Sequence, residues 1–231
     1  MKLLRVLNLN QVFLCLCLII FFSCSHENED NISVKPSVKI LILGNSVLNH
    51  SPSPSLGWYG DWGMAATAPD KDFKSVYLKK LQNSQKFDLI TLDSQNIAYW
   101  ENDLSYALNN YIDISNRNYD ILIVRLGENV GDLDNYESAL NNMINHFKNI
   151  NTKVLITGLI WENDPKEIIH QNVALLNKYY FISMANFRHD SRNYSWGNFE
   201  NSAVAAHPSD FGMNSIAELL YTKTLQILPD K

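Results

Sequence analysis

"KILILGNSVLNH", residues 39–50, is the stretch on which the reading of the chain turns. Ile40, Leu41, Ile42 and Leu43 form an unbroken aliphatic run that stops abruptly at Gly44. A short apolar run bounded by glycine suits a strand covered on both faces, as in a parallel sheet with helices on each side. That strand delivers Asn45 and Ser46 to a polar turn at the rim of the sheet. Two readings follow: Ser46 caps the next segment of a βα turn, or the rim presents a hydroxyl nucleophile.

Working outward, similar runs recur at 87–93 (FDLITLD), 119–127 (YDILIVRLG), 152–160 (TKVLITGLI) and 179–185 (YYFISMA). Between them, 72–82, 101–116, 133–149 and 165–178 read as helices. Asp132 or Asp134 can start the third, and Pro165 suits the first turn of the fourth. A final helix runs from about Ser209 to Ile227, with Pro229 beyond it. Alternating strands and helices imply right-handed crossovers and a parallel sheet. The predicted fold is α/β: a flavodoxin-like three-layer α/β/α sandwich with a five-stranded parallel sheet in the order 2-1-3-4-5. Ligands in such sheets collect at the carboxyl ends of the strands, near the switch between strands 1 and 3. One domain, 37–231, accounts for all of this, and its irregular stretches are 45–71 and 186–207.

The first residues read differently. Lys2 and Arg5 precede an apolar run from Val12 to Phe22, which has the length of a signal-peptide core and falls short of a membrane span of roughly 20 residues. "FFSC" (21–24) resembles a bacterial lipobox, with Phe21 where leucine is usual. The resemblance implies a signal peptide over 1–23, lipidation of Cys24 and a flexible tether over 24–36; ordinary signal cleavage or a retained anchor are the alternatives. The acidic tract after Cys24 is similar to signals that export lipoproteins to the cell surface, and Ser25 does not suggest retention at an inner membrane. The expected location is the cell envelope, at a bacterial outer membrane, with the lipid as the membrane contact. Cleavage removes Cys15 and Cys17, so the folded part has no disulfide and depends on its core. It also removes two positive charges, taking the net charge of the 231-residue chain from −5 to −7. With no basic patch, nucleic acid is not an expected partner.

Three rim segments carry chemistry. Strand 1 ends in "GNS" (44–46), strand 3 in "GEN" (127–129), and "AAHPSD" (205–210) precedes the last helix. Acyl transfer needs such a set: a hydroxyl, a base for its proton, and donors for the oxyanion. Over about 37–228 the chain resembles the SGNH hydrolases, the GDSL-type esterase superfamily. "ILGNS" stands for the Gly-Asp-Ser block, "LGEN" for the Gly-x-Asn block and "HPSDFGM" for the closing block. The resemblance implies Ser46 as nucleophile, His207 as general base and acid, and Asn129 with the Ser46 N–H as oxyanion donors, without a cofactor.

Two positions depart from that pattern. The loop after strand 2, "SQNIAYWEND" (94–103), lacks the usual donor glycine; its spacing puts the Ala98 N–H there, with Asn96 beside it. Val204 stands where the family has the aspartate that orients the histidine. A backbone carbonyl near Val204 would then hold His207, as in Ser-His dyad relatives. Asp210 is expected to cap the last helix, and Glu128 reaching His207 is a further alternative.

Several other residues have both a functional and a structural reading. Trp58, Tyr59 and Trp62 in "GWYGDWGMAAT" (57–67) offer a platform for a sugar ring, or else they lock a long loop. That loop resembles one in envelope SGNH lipoproteins with a Gly-Asn-Ser turn. Trp100 is a candidate substrate contact with Asn96, against burial in the core, and Trp161 and Trp196 carry the same two readings. Arg125, near the end of a central strand, needs a carboxylate or several carbonyls; Glu128 and Asp93 are the candidate partners, and the pair reads as a prop for the Asn129 loop, against a substrate contact. His50 reads as a hydrogen-bonded prop. His26, His146, His170 and His189 show no metal-ligand spacing. The expectation is a serine esterase for acyl groups, O-acetyl above all, on carbohydrate. A lipid-ester hydrolase or a lapsed glycan-binding protein are the alternatives.

Overall fold

The structure, a computed structural model, describes residues 35–228. The signal peptide, Cys24 and most of the tether expected over 24–36 lie outside the described residues.

The aliphatic run that opens the sequence forms β1 (Val38–Gly44) at the heart of a parallel sheet. Its neighbours are β2 (Ile90–Asn96) on one side and β3 (Ile121–Arg125) on the other, followed by β4 (Lys153–Thr157) and β5 (Tyr180–Ile182). The order is 2-1-3-4-5, as predicted. Side chains alternate across the sheet and divide the core in two. Ile40, Ile42, Ile121, Ile123 and Leu155 pack with α1 (Phe73–Asn83) and the C-terminal helix Asp210–Ile227. Leu41, Leu43, Leu122, Val124 and Ile156 pack with Tyr136–Phe147 and Asp164–Leu176. This period of two, apolar at every position, is why the strands read as continuous aliphatic runs.

Two elements depart from the prediction. β2 starts three residues later than its hydrophobic run and continues past Asp93 through Ser94, Gln95 and Asn96. It is an edge strand, half-buried along its length, so pairing with β1 carries polar residues that hydrophobicity places in a loop. The continuous helix expected over 101–116 is instead a short α2 (Ala98–Asn102), a 3-10 turn and α3 (Ile112–Ser115). Asp103 breaks it: its carboxylate accepts from the Ser105 N–H and hydroxyl, a local bond that competes with helix continuation.

The remaining helices follow their caps. Tyr136–Phe147 is α4, and Asp132 binds the N–H and side chain of Asn135 just before it. In α5 (Asp164–Leu176), Asn163 caps the Lys166 N–H and proline occupies the first turn. Two short helices follow, α6 (Ala185–Arg188) and α7 (Ser202–Ala205). The last helix, α8 (Asp210–Ile227), is capped by Ser209, which accepts from the Gly212 N–H. Asp210 therefore does not take the capping position; its carboxylate binds the N–H and hydroxyl of Thr67 and ties the long 45–71 loop to α8.

Candidate active site

Asn45, not Ser46, organises the turn after β1. Its Oδ1 accepts from the Val47 N–H at 3.1 Å, and its carbonyl accepts from Leu48 and Asn49. That leaves the Ser46 hydroxyl free to point elsewhere, and its Oγ lies 2.8 Å from His207 Nε2. The two residues are 161 positions apart.

His207 is delivered by α7 and the turn behind it. Asn201 caps the Ala203 N–H, and the Ala203 carbonyl lies 2.8 Å from His207 Nδ1. A carbonyl only accepts, so Nδ1 carries the proton. Nε2 then presents its lone pair, and the Ser46 O–H donates to it. Burial pushes the imidazole down to about 4, opposed by its bond to Ala203 and the charge of Glu128. Val204, where the family pattern has aspartate, is fully buried against Trp58, Met64 and Ala65. The apolar contact there leaves no site for a carboxylate, and the carbonyl that fixes the ring belongs to its neighbour. Trp161 stands edge-on to the imidazole, with ring centroids 5.4 Å apart, and its indole N–H donates to the Ala206 carbonyl.

The Asn129 loop is held from below. Gly127 has φ of +121°, and a Cβ there would come within 2.8 Å of His170 Nε2, so only glycine allows this turn. Glu101, buried in α2, accepts from the Gly127 N–H at 2.5 Å, from Asn129 Nδ2 at 2.9 Å and from Asn45 Nδ2 at 3.2 Å. One carboxylate thus joins the Ser46 turn to the Asn129 loop. It also fixes which end of the Asn129 amide faces inward, because a carboxylate only accepts. Asn129 itself is exposed, and the second N–H of its carboxamide has no partner among the described residues. The Ser46 N–H is likewise unengaged among the described residues, while the Ser46 carbonyl accepts from Met64.

A second carboxylate lies alongside. Glu128 pairs with Arg125 at 2.6 Å and accepts from Asn45 Nδ2 at 2.7 Å. Desolvation pushes its pKa up, but Arg125 and these hydrogen bonds outweigh it and hold the group low; Glu101 goes the other way, raised by burial and by the Glu128 charge. Glu128 is therefore committed to Arg125 and Asn45, and His207 Nδ1 to Ala203, so the Glu128–His207 alternative is not realised. Asp93 does not serve Arg125 either, since Arg117 and Tyr119 bind it.

Other predicted contacts are corrected. The Ala98 N–H is spent on Asn96 Oδ1 at 2.8 Å, and Asn96 Nδ2 donates to the Asn49 carbonyl. Ala98 thus offers no free oxyanion donor, and both ends of the Asn96 amide are used within the chain. Trp100 is buried against Tyr136 in the core beneath α2. Trp58 is buried too and Trp62 half-buried; their indole N–H groups bond the His50 and Ala66 carbonyls. These two are a lock between the loop after Ser46 and Val204 rather than a platform. Tyr59, in contrast, is exposed, as is Trp196. The His50 ring is held by the Ser51 carbonyl.

Sequence reasoning missed Glu101 and the organising role of Asn45, whereas the carbonyl expected near Val204 is that of Ala203. Only Asn45 had a local signal, an Asx residue directly after a strand.

The chain matches no family model and no curated protein. Solved structures share its fold. LAE5, an α/β hydrolase enzyme from the metagenome of Lake Arreo, superposes with a TM-score of 0.58 at 14% identity, covering 83% of this chain and 97% of its own. EstA, a psychrotrophic esterase from Pseudoalteromonas sp. inhibited by monoethylphosphonate, gives 0.57 at 11%, covering 82% and 97%. CEX, a two-domain esterase active on acetylated mannans and crystallised with mannopentaose, gives 0.55 at 13%, covering 86% of this chain and 52% of its own. The protein therefore has the three-layer α/β fold found in these hydrolases.

Proposed function

We propose that the protein is a serine esterase of the SGNH, or GDSL-type, superfamily, acting on O-acetyl esters carried by carbohydrate. The observation that carries this reading is the relay from the Ala203 carbonyl through His207 to the Ser46 hydroxyl. It presents a neutral imidazole with its lone pair on a serine at the switch point of the sheet. Ser46 Oγ attacks the ester carbonyl as its proton passes to Nε2. The oxyanion is met by the Ser46 N–H and the free N–H of the Asn129 carboxamide. His207 returns the proton to the departing sugar oxygen. Water then repeats the sequence, giving its proton to Nε2 as it attacks the acyl-enzyme, and Ser46 leaves with that proton restored. The carbohydrate assignment is supported by the activity named for CEX. Attachment to the envelope through a lipid on Cys24 belongs to the same proposal, and the mass of the mature N-terminal peptide tests it.

Turnover of p-nitrophenyl acetate by the purified protein, compared with Ser46→Ala, tests the chemistry. A fluorophosphonate label mapped to the Ser46 peptide, and lost in His207→Ala, is the expected companion result. Equal rates in the presence and absence of the Ser46 hydroxyl would leave a binding protein on a hydrolase fold. The Ala98 N–H, spent on Asn96, is the observation that favours this second reading.

A further inference from the structure

Two depressions flank α2, and the proposed acyl transfer uses neither. The smaller, about 380 Å³, starts at Asn49 and His50 in the nucleophile loop and extends to Tyr99 and Asn102. The Asn49 N–H donates to the Asn45 carbonyl at 3.1 Å, so this end begins in the same turn that carries Ser46. The larger, about 790 Å³, begins at the same Asn102 and runs to α4, between Tyr106, Asn109, Ser138 and Asn142. Asn102 lines both, and Tyr99 of the first stacks on Tyr106 of the second with centroids 5.8 Å apart and an interplanar angle of 19°. The two therefore share a wall at α2.

Their volume is far more than an acetyl group needs; pockets of roughly 300–1,000 Å³ hold whole multi-ring ligands. The lining chemistry narrows the occupant. Among the described residues, no lysine or arginine lines either depression, so none of them there neutralises a phosphate or carboxylate. The two aspartates of the larger one are engaged, Asp103 by Ser105 and Asp132 by Asn135. The carboxamides of Asn102, Asn109 and Asn142 are exposed and have no partner among the described residues, so each offers donors and an acceptor to hydroxyl groups. Amides alternating with tyrosine faces suit a ring with hydroxyls at its edge and C–H bonds on its face. An acyl chain would strand those amides without partners.

We infer that the two depressions form one binding groove for a neutral oligosaccharide, with the acylated sugar at the His50 end and the chain running across α2 to α4. The inference rests on the esterase reading for what happens at the Ser46 end, but its binding test does not. The Ser46→Ala protein is titrated calorimetrically with mannopentaose, xylopentaose and cellopentaose. At least one binds with a Kd near or below about 1 mM, and both Tyr106→Ala and Ser138→Trp weaken it by about tenfold or more, each checked for an intact thermal melt. Using two variants keeps the result readable if one fails to fold. The inference is overturned if none of the pentaoses binds at ~10 mM, or if binding survives whichever of the two substitutions leaves the protein folded. Failure of the unsubstituted protein to hydrolyse p-nitrophenyl acetate would sink the esterase reading alone, since pentaose binding is read without turnover.

Discussion

Replacing Glu101 by glutamine preserves shape and removes one accepting oxygen from beneath the site. The carboxylate takes three hydrogen bonds, two on Oε1 from Gly127 and Asn45 and one on Oε2 from Asn129. A glutamine oxygen in the Oε1 position keeps the first two, and its NH2 then meets the NH2 of Asn129. One amide must turn over. If Asn129 turns, its carbonyl faces the new glutamine NH2 and the N–H proposed to meet the oxyanion is lost. A buried donor left unmatched costs about 1–3 kcal/mol. Against this, the substitution deletes a charge that burial and Glu128 both disfavour, the same two causes that raise the Glu101 pKa. The two effects oppose each other in stability but not in catalysis. Glu101→Gln should therefore melt within a few degrees of the unsubstituted protein and lose roughly 100- to 1000-fold in kcat, the typical effect of one oxyanion donor. The assay is kcat and KM on p-nitrophenyl acetate beside a thermal melt. The double variant with Asn129→Ala should be no slower than Asn129→Ala alone, because both remove one interaction. A kcat within about twofold of the unsubstituted protein, or losses that multiply in the double variant, would refute the argument.

Turnover should rise with pH through about 4 and be flat by neutrality, because the proposed base, His207, must be unprotonated and burial holds it at about 4. The same group makes stability pH-dependent: between its folded value and the ordinary 6.5 the unfolded chain binds the proton, so stability grows as pH rises through that window and falls as pH drops. The shift amounts to on the order of 3 kcal/mol; Glu101, raised, acts in the opposite sense, so the slope in urea melts is compared between the unsubstituted protein and His207→Gln, where it should shrink. Arg125→Met leaves Glu128 buried without its cation and should cost about 3–5 kcal/mol, much of it recovered in Arg125→Met/Glu128→Gln; equal stability of the single and double variants would contradict this. In Gly212→Ala the new Cβ would collide with the Asn193 carbonyl oxygen. Forcing α8 away from the 193–195 segment should cost about 1–3 kcal/mol or more and lower Tm by several degrees, and an unchanged Tm would refute that packing.

Sheet order was legible because strands buried on both faces must be aliphatic at nearly every position, and the central parts of β1, β3 and β4 obey this. Legibility failed where burial is partial. β2, at the edge, carries Ser94, Gln95 and Asn96 inside the strand, and the Asp103–Ser105 bond cuts a helix that periodicity joins. The Ala98 assignment failed although its signal was local, since an asparagine two residues before an N–H commonly takes it.

The sequence by itself determined the alternation of strand and helix, the rim position of Ser46, Asn129 and His207, and the absence of an aspartate before the histidine. Each of these is a short-range pattern, governed by neighbours a few residues away. Tertiary structure alone decided what the patterns leave free: that His207 meets the Ser46 hydroxyl from 161 positions along the chain, that Val204 fills an apolar pocket under the tryptophan loop, and that Glu101 binds Asn45 from 56 positions away. Such contacts depend on which buried polar groups are left needing partners once the layers have packed, and no local spacing encodes that.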